Sequence, residues 1–264
     1  MKIAGIQLAV VAGQIETNFK KAEEWIRKAA QAGADVAVLP EMFVGGFLSN
    51  LSMAELADLN GKRTKAFLSR LSKELKINIV GGSVATEKAG YYFNTAYVSD
   101  RQGQIIADYD KIHLFSFAGE EKRYAAGEKL VSFHLDGIKC SVMICYDLRF
   151  PEIFRKQALE GAEIIFLPAQ WPVPRIDHWR ILNQARAIEN QLFMVSVNGC
   201  GKANKDIQNG GNSLIVDPWG EVIADAGNTP EEKMIMGELD LTQIKKVRDK
   251  MTVFADRKPL DILS

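Results

Sequence analysis

The segment CYDLRFPE, Cys145 to Glu152, holds a cysteine at the end of an apolar run, then polar residues and a proline suited to the first turn of a helix. A thiol placed there lies near backbone amides that can hold an oxyanion. Two other charged residues occupy comparable junctions: Glu41, directly after the apolar DVAVLP, and Lys111 in DYDKIHLF. Taken singly, each has an ordinary reading. A cysteine ending an apolar strand is a packed core residue, a carboxylate after Leu-Pro a solvated loop charge, and a lysine before Ile-His a surface cation. Cys140, on the same apolar run as Cys145, keeps the packed reading.

These residues need elements to position them. Residues 3–10 read as a strand, and Thr17 to Gly33 as a helix with Ala22, Trp25, Ile26, Ala29 and Ala30 on one face. DVAVLP is a short strand apolar on both faces, so the opening is a strand-helix-strand unit that favours parallel pairing. A helix over Lys62 to Leu75 leads into INIVGGSV, read as one strand, and YYFNTAYVSD with QIIADYD reads as a hairpin. The second half repeats the mixture. VSFHL and IKCSVMIC flank an Asp136-Gly137 turn, a helix follows from Pro151 to Glu160, then the strand EIIFLPA, a helix over Asp177 to Glu189 and the strand LFMVSVN. NSLIVD and EVIAD form a second hairpin, followed by KMIMGELD and a helix from Leu241. About a dozen strands with interleaved helices predict an α/β fold of two packed sheets with helices outside, in a single domain over 1–264. In such a sheet the reactive groups collect beyond the carboxyl ends of the strands, where Glu41 and Cys145 stand.

Composition narrows the functions. Thirty-three basic residues balance thirty-three acidic ones, so no net field recruits nucleic acid or anionic lipid. Nowhere does an apolar run approach the roughly 18 residues of a spanning helix, so no membrane role is expected. Gln7 interrupts the apolar start MKIAGIQLAVVAG, which reads as a core strand and not a secretion signal. Three cysteines without C-x-x-C spacing argue against a disulfide framework or a zinc site and for a reducing, cytoplasmic compartment. His113, His134 and His178 are too scattered for a metal site, and no phosphate-binding glycine loop is present. The expectation is therefore no metal and no cofactor.

The motifs LPEMF, DKIHLF and CYDLRFPE, in this order and spacing, resemble those of the nitrilase superfamily of carbon-nitrogen hydrolases, and the resemblance runs from GIQLAV through ARAIEN to GGNSLIVDPWG. It is strongest to the ω-amidase-like amidase branch. The resemblance implies a four-layer α-β-β-α sandwich, commonly dimerised, and a triad of Glu41, Lys111 and Cys145. It also implies a supporting glutamate at Glu120, with Glu121 its rival. Glu41 would carry protons, Cys145 attack the amide carbon, and Lys111 with the amide of Tyr146 stabilise the oxyanion. EMFVGGF departs from relatives, which usually carry Thr before Gly-Phe or Gly-Tyr, so Gly45 is expected to loosen a pocket wall.

The implied activity is hydrolysis of a small linear amide, an ω-amide of a dicarboxylic acid such as 2-oxoglutaramate, by a homodimer. Nitrile or N-carbamoyl hydrolysis and acyl transfer would use the same triad, and a silent interaction module could use the same scaffold. Arg149, four residues past Cys145, is the candidate for the substrate's free carboxylate, against pairing with Asp147 or Glu152. Trp171 in AQWP is a candidate pocket wall. Asp110 could orient Lys111. Arg186 and Glu189 read as structural ion pairing, and the stripe Trp179, Leu182, Ile188 as core or dimer contact.

Overall fold

The computed structural model describes residues 1–258, so the end of the expected 1–264 domain lies outside the described residues. The first half runs β1 (Lys2–Gln7), α1 (Ile15–Gln31), β2 (Val36–Val38), α2 (Met53–Leu56), β3 (Asp58–Leu59), α3 (Lys62–Leu75), β4 (Asn78–Val80), β5 (Val84–Lys88), β6 (Tyr91–Ser99) and β7 (Ile105–Asp110). The second runs β8 (Ser132–Leu135), β9 (Ile138–Val142), α4 (Pro151–Leu159), β10 (Ile164–Ala169), α5 (Ile176–Asn190) and β11 (Phe193–Asn198). It closes with β12 (Cys200–Lys202), β13 (Gln208–Gly210), β14 (Leu214–Val216), β15 (Val222–Asp225), β16 (Lys233–Glu238), α6 (Thr242–Lys250) and α7 (Val253–Asp256).

One mixed sheet has the order β16-β1-β2-β4-β6-β5-β3, with β7 paired to β6, and the other β15-β14-β11-β10-β9-β8. β1, β2 and β4 are parallel, as are β9, β10 and β11, because a helix crosses over between the strands of each pair. The sheets meet through Ile3, Val36, Val38 and Val98 on one side and Val142, Ile164, Phe166, Val195 and Ile215 on the other. The period-2 alternation turns Ala4 and Ile6 the other way, where Ala22 and Ile26 of α1 and Leu68 and Leu71 of α3 cover them. α4 and α5 cover the second sheet, with Phe154, Ala158 and Trp179 in its core. This is the expected α-β-β-α sandwich.

Two strands end earlier than their apolar runs suggest. INIVGGSV is not one strand: Gly82 takes φ +58°, and the chain turns there between β4 and β5. IKCSVMIC stops at Val142, three residues short of Cys145. The small β12-β13 ribbon had no signal in the sequence beyond a polar run.

Candidate active site

The glycine corner sets the first carboxylate. A Cβ on Gly82 would lie 2.1 Å from the Pro40 carbonyl oxygen, so only glycine lets the β4-β5 turn close against the Leu39-Pro40 end of β2. Ser83 Oγ then accepts the Met42 N–H at 3.0 Å, and the Ser83 carbonyl accepts the Phe43 N–H at 3.1 Å. Glu41, between Pro40 and Met42, is fully buried.

Lys111 leaves the end of β7, its N–H bonded to the Asn94 carbonyl at 2.9 Å. Its ammonium donates to Glu41 Oε1 at 2.9 Å and to Glu120 Oε1 and Oε2 at 3.1 and 2.9 Å. Asn94 Nδ2 donates to the same two carboxylates at 2.9 and 3.0 Å, and the Gln170 N–H donates to Glu41 Oε2 at 2.8 Å. Burial alone would push the Lys111 ammonium toward neutrality, but the charges of Glu41 and Glu120 outweigh it and hold its pKa above the ordinary lysine value. Lys111 is therefore a fixed positive charge.

Cys145 begins a single turn of 3-10 helix, Cys145–Arg149, with φ +47°, a left-handed conformation that costs a non-glycine residue about 1–3 kcal/mol. Asp147 restrains the turn. Its Oδ2 accepts the Ile144 N–H at 2.9 Å and the Tyr109 hydroxyl at 2.7 Å, and its Oδ1 accepts the His113 N–H at 3.0 Å. Arg186 holds the far end, donating from Nε and Nη2 to the Leu148 carbonyl at 3.1 and 3.0 Å. The Asp147 N–H is used by the Ile144 carbonyl, whereas the Tyr146 N–H has no acceptor among the described residues and is free for an oxyanion. Burial pushes the Cys145 thiol well above the ordinary cysteine pKa, Glu41 adds to the shift, and Lys111 opposes it. The resting group is a neutral thiol beside the Glu41 side chain, an arrangement in which Glu41 could accept its proton.

Glu41, Lys111, Cys145, Tyr146, Arg149 and Trp171 line one pocket. Glu120 lies behind Lys111, bonded also to the Phe115 N–H at 2.7 Å, while its rival Glu121 is exposed. Arg149 pairs with neither Asp147 nor Glu152. Its guanidinium lies 4.6 Å from the Trp171 ring centroid and meets His178 Nδ1 at 3.4 Å.

Two expectations change. Asp110 does not orient Lys111: the strand alternation turns it away, toward Thr95 Oγ1 at 2.6 Å and Lys88 Nζ at 2.8 Å. Gly45 is absent from the residues lining the pocket, and a Cβ there would come within 2.0 Å of Leu56 Cδ1, so Leu56 fills the space. Of the helical stripe read as core or dimer contact, Trp179 is buried in the core and Ile188 is 52% exposed. Arg186 pairs with Glu189 at 2.8 Å, as expected of a structural pair. Sequence reasoning missed Asn94, Gln170, Asp147 and Arg175. Gln170 had a signal, just past the end of β10 as Glu41 stands just past the end of β2; Asn94, a polar residue within β6, was another.

Comparison with known proteins gives the family. The carbon-nitrogen hydrolase family model matches residues 2–249. The chain belongs to the carbon-nitrogen hydrolase family. It is 44% identical over 260 residues to the 2-oxoglutaramate amidase of Bacillus subtilis, covering 98% of each protein. It is 30% identical over 268 residues to omega-amidase NIT2 of Homo sapiens, covering 97% of this chain and 96% of the other. Among solved structures, Saccharomyces cerevisiae Nit3, a member of branch 10 of the nitrilase superfamily, superposes with a TM-score of 0.88 at 28% identity, covering 98% and 97% of the two chains. This carbon-nitrogen hydrolase is thus an enzyme of the nitrilase superfamily that acts on C–N bonds.

Proposed function

We propose that the enzyme is an ω-amidase that releases ammonia from the monoamide of a small dicarboxylic acid such as 2-oxoglutaramate. In the proposed reaction Glu41 takes the Cys145 proton as sulfur bonds to the amide carbon. The tetrahedral oxyanion rests on the Lys111 ammonium and the Tyr146 N–H. Glu41 returns the proton to the nitrogen, the C–N bond breaks, ammonia leaves, and a thioester remains. Glu41 then activates water, and hydrolysis frees the acid and the thiol. Glu120 positions Lys111 from behind, and all of these groups belong to the protein.

The observation that carries the substrate class is Arg149: half-buried in the pocket, packed on Trp171, and without an acidic partner among the described residues. A guanidinium left in this way suits a substrate carboxylate a few carbons from the scissile amide. The name of the Bacillus subtilis relative supports the same class. Its test is an ammonia-release panel on 2-oxoglutaramate, succinamate, an aliphatic amide, an aliphatic nitrile and an N-carbamoyl amino acid, run with Arg149→Met. The charged amides should lead the panel and lose about 2–5 kcal/mol of recognition in the variant. An equal loss on the uncharged amide would make Arg149 structural.

We also infer that residues 1–264 act as one domain in a homodimer in the cytoplasm. Ile181 and Ile188, two turns apart on α5, are 65% and 52% exposed, and Trp219, next in the chain to the Gly220 that packs on Ile188, is 45% exposed, an apolar face suited to a second copy. The three free, buried cysteines suit a reducing compartment. Sedimentation of an Ile181→Glu, Ile188→Glu double variant should give the monomer mass; a wild-type monomer would refute the dimer.

A further inference from the structure

The pocket holds a second arginine that the reaction above does not use. Arg175 ends a single 3-10 turn, Val173–Arg175, just past Trp171, and lines the same pocket as Cys145 and Arg149. Its guanidinium lies 5.3 and 5.8 Å from the ring centroids of Phe115 and Phe117. Its carbonyl accepts Trp171 Nε1 at 2.7 Å, so its main chain is fixed whatever the side chain does. Among the described residues neither Arg175 nor Arg149 forms an ion pair with a carboxylate.

Charge is therefore divided along the pocket. At the thiol end two carboxylates, Glu41 and Glu120, face one ammonium, Lys111, leaving one negative charge. The other end carries two guanidinium groups that no carboxylate pairs with among the described residues. Burial destabilises the Arg149 cation, and the like charge of Arg175 adds to that penalty. A substrate with its neutral amide at the thiol and its anionic end at the arginines matches this polarity. A plain carboxylate occupies one guanidinium bidentately and leaves the other unmatched. A 2-oxo acid offers a third oxygen in the carboxylate plane, an acceptor for the second.

We propose that Arg175 is a specificity-determining residue that binds the 2-oxo oxygen of the substrate while Arg149 binds its carboxylate, so that the enzyme selects 2-oxo ω-amides over unsubstituted ones. This rests on the ω-amidase reading and narrows it.

The experiment compares kcat/KM for 2-oxoglutaramate, glutaramate and butyramide in the wild type, Arg175→Met and Arg175→Lys. Competitive inhibition by 2-oxoglutarate and glutarate gives a binding readout independent of turnover. Arg175→Met should lower kcat/KM for 2-oxoglutaramate about tenfold or more, for glutaramate less than about threefold, and leave butyramide unchanged. The inhibition constant of 2-oxoglutarate should rise toward that of glutarate, and Arg175→Lys should recover part of the preference. Equal losses on both acids, or no change on either, overturn the assignment of Arg175 while leaving the ω-amidase reading intact when the wild type prefers both acids to butyramide. A wild type that hydrolyses butyramide as well as the acids overturns that reading and this inference with it.

Discussion

Lys111 places three hydrogen bonds into two fully buried carboxylates, and this fixes what its loss must do. Removing one member of a buried ionic cluster leaves uncompensated charge and costs about 3–5 kcal/mol of stability. Lys111→Met should therefore melt lower as well as lose about a hundredfold or more in kcat, the scale of one oxyanion donor. A calorimetric scan beside steady-state kinetics measures both; unchanged kcat with a raised KM would mean that Lys111 only binds substrate. For the thiols, Cys145→Ala should abolish turnover with the fold intact. Cys140→Ala and Cys200→Ala should keep most activity, both thiols being buried, with Cys200 pushed up to about 12 by burial. Glu41 bears on pH. After burial it is the largest cause of the raised Cys145 pKa, and Lys111 pulls the other way. In Glu41→Gln the negative charge is gone and the ammonium stays, so the thiol pKa must fall. The pH profile of Cys145 alkylation by iodoacetamide should move to lower pH while amide hydrolysis collapses for want of a base. A profile that stays in place, or moves up, would remove Glu41 from contact with the thiol.

Between single residues and the sheets lies the turn that presents Cys145, the proposed nucleophile. Cys145–Arg149 is short, and Cys145 sits in left-handed backbone, so the turn depends on its neighbours. Asp147 ties three segments together: the turn itself through Ile144, the end of β7 through Tyr109, and the residues after Lys111 through His113. It thereby fixes the thiol relative to the ammonium. Asp147→Asn preserves shape but turns one acceptor oxygen into a donor facing other donors. A loss of about 1.5–3 kcal/mol per hydrogen bond to the charged group is expected, with a fall in kcat and little change in KM, because the pocket walls are untouched. A rise in KM at constant kcat would contradict a positioning role.

Across the whole molecule the two sheets are packed tightly against each other at Gly5. A Cβ there would meet Ile235 Cγ1 of β16 at 2.9 Å and Val197 Cγ2 of β11 at 3.1 Å. Gly5 is thus where the first strand, the last strand and the second sheet touch. Gly5→Val overfills this contact and should cost about 1–3 kcal/mol. At about 2–4 °C per kcal/mol for a chain of this size, the melting temperature should drop by several degrees. No change in melting would show that the sheets separate readily at this edge.

Most of the architecture was legible in the sequence because it is periodic. The 3.6-residue apolar spacing of α1 and the two-sided apolar runs of β2, β10 and β11 state which faces are buried. That Glu41, Lys111 and Cys145 come together in one pocket was legible for another reason: each stands at or just past the end of an element, within a motif of the family. What the sequence left open were relations between distant segments. Glu120 and Glu121 are adjacent and chemically identical, and only the turn after Gly119 decides that one is buried against Lys111 and the other is exposed. Arg149 stood two residues from an acid that could have paired with it, yet the fold commits Asp147 to Tyr109 and His113 and leaves the guanidinium in the pocket. Asn94, Gln170 and Arg175 come from three separate elements and acquire their roles only when two sheets close around one pocket. Periodicity specifies which face of an element is buried, but a site depends on which other element supplies the opposite wall, and that is settled by tertiary packing.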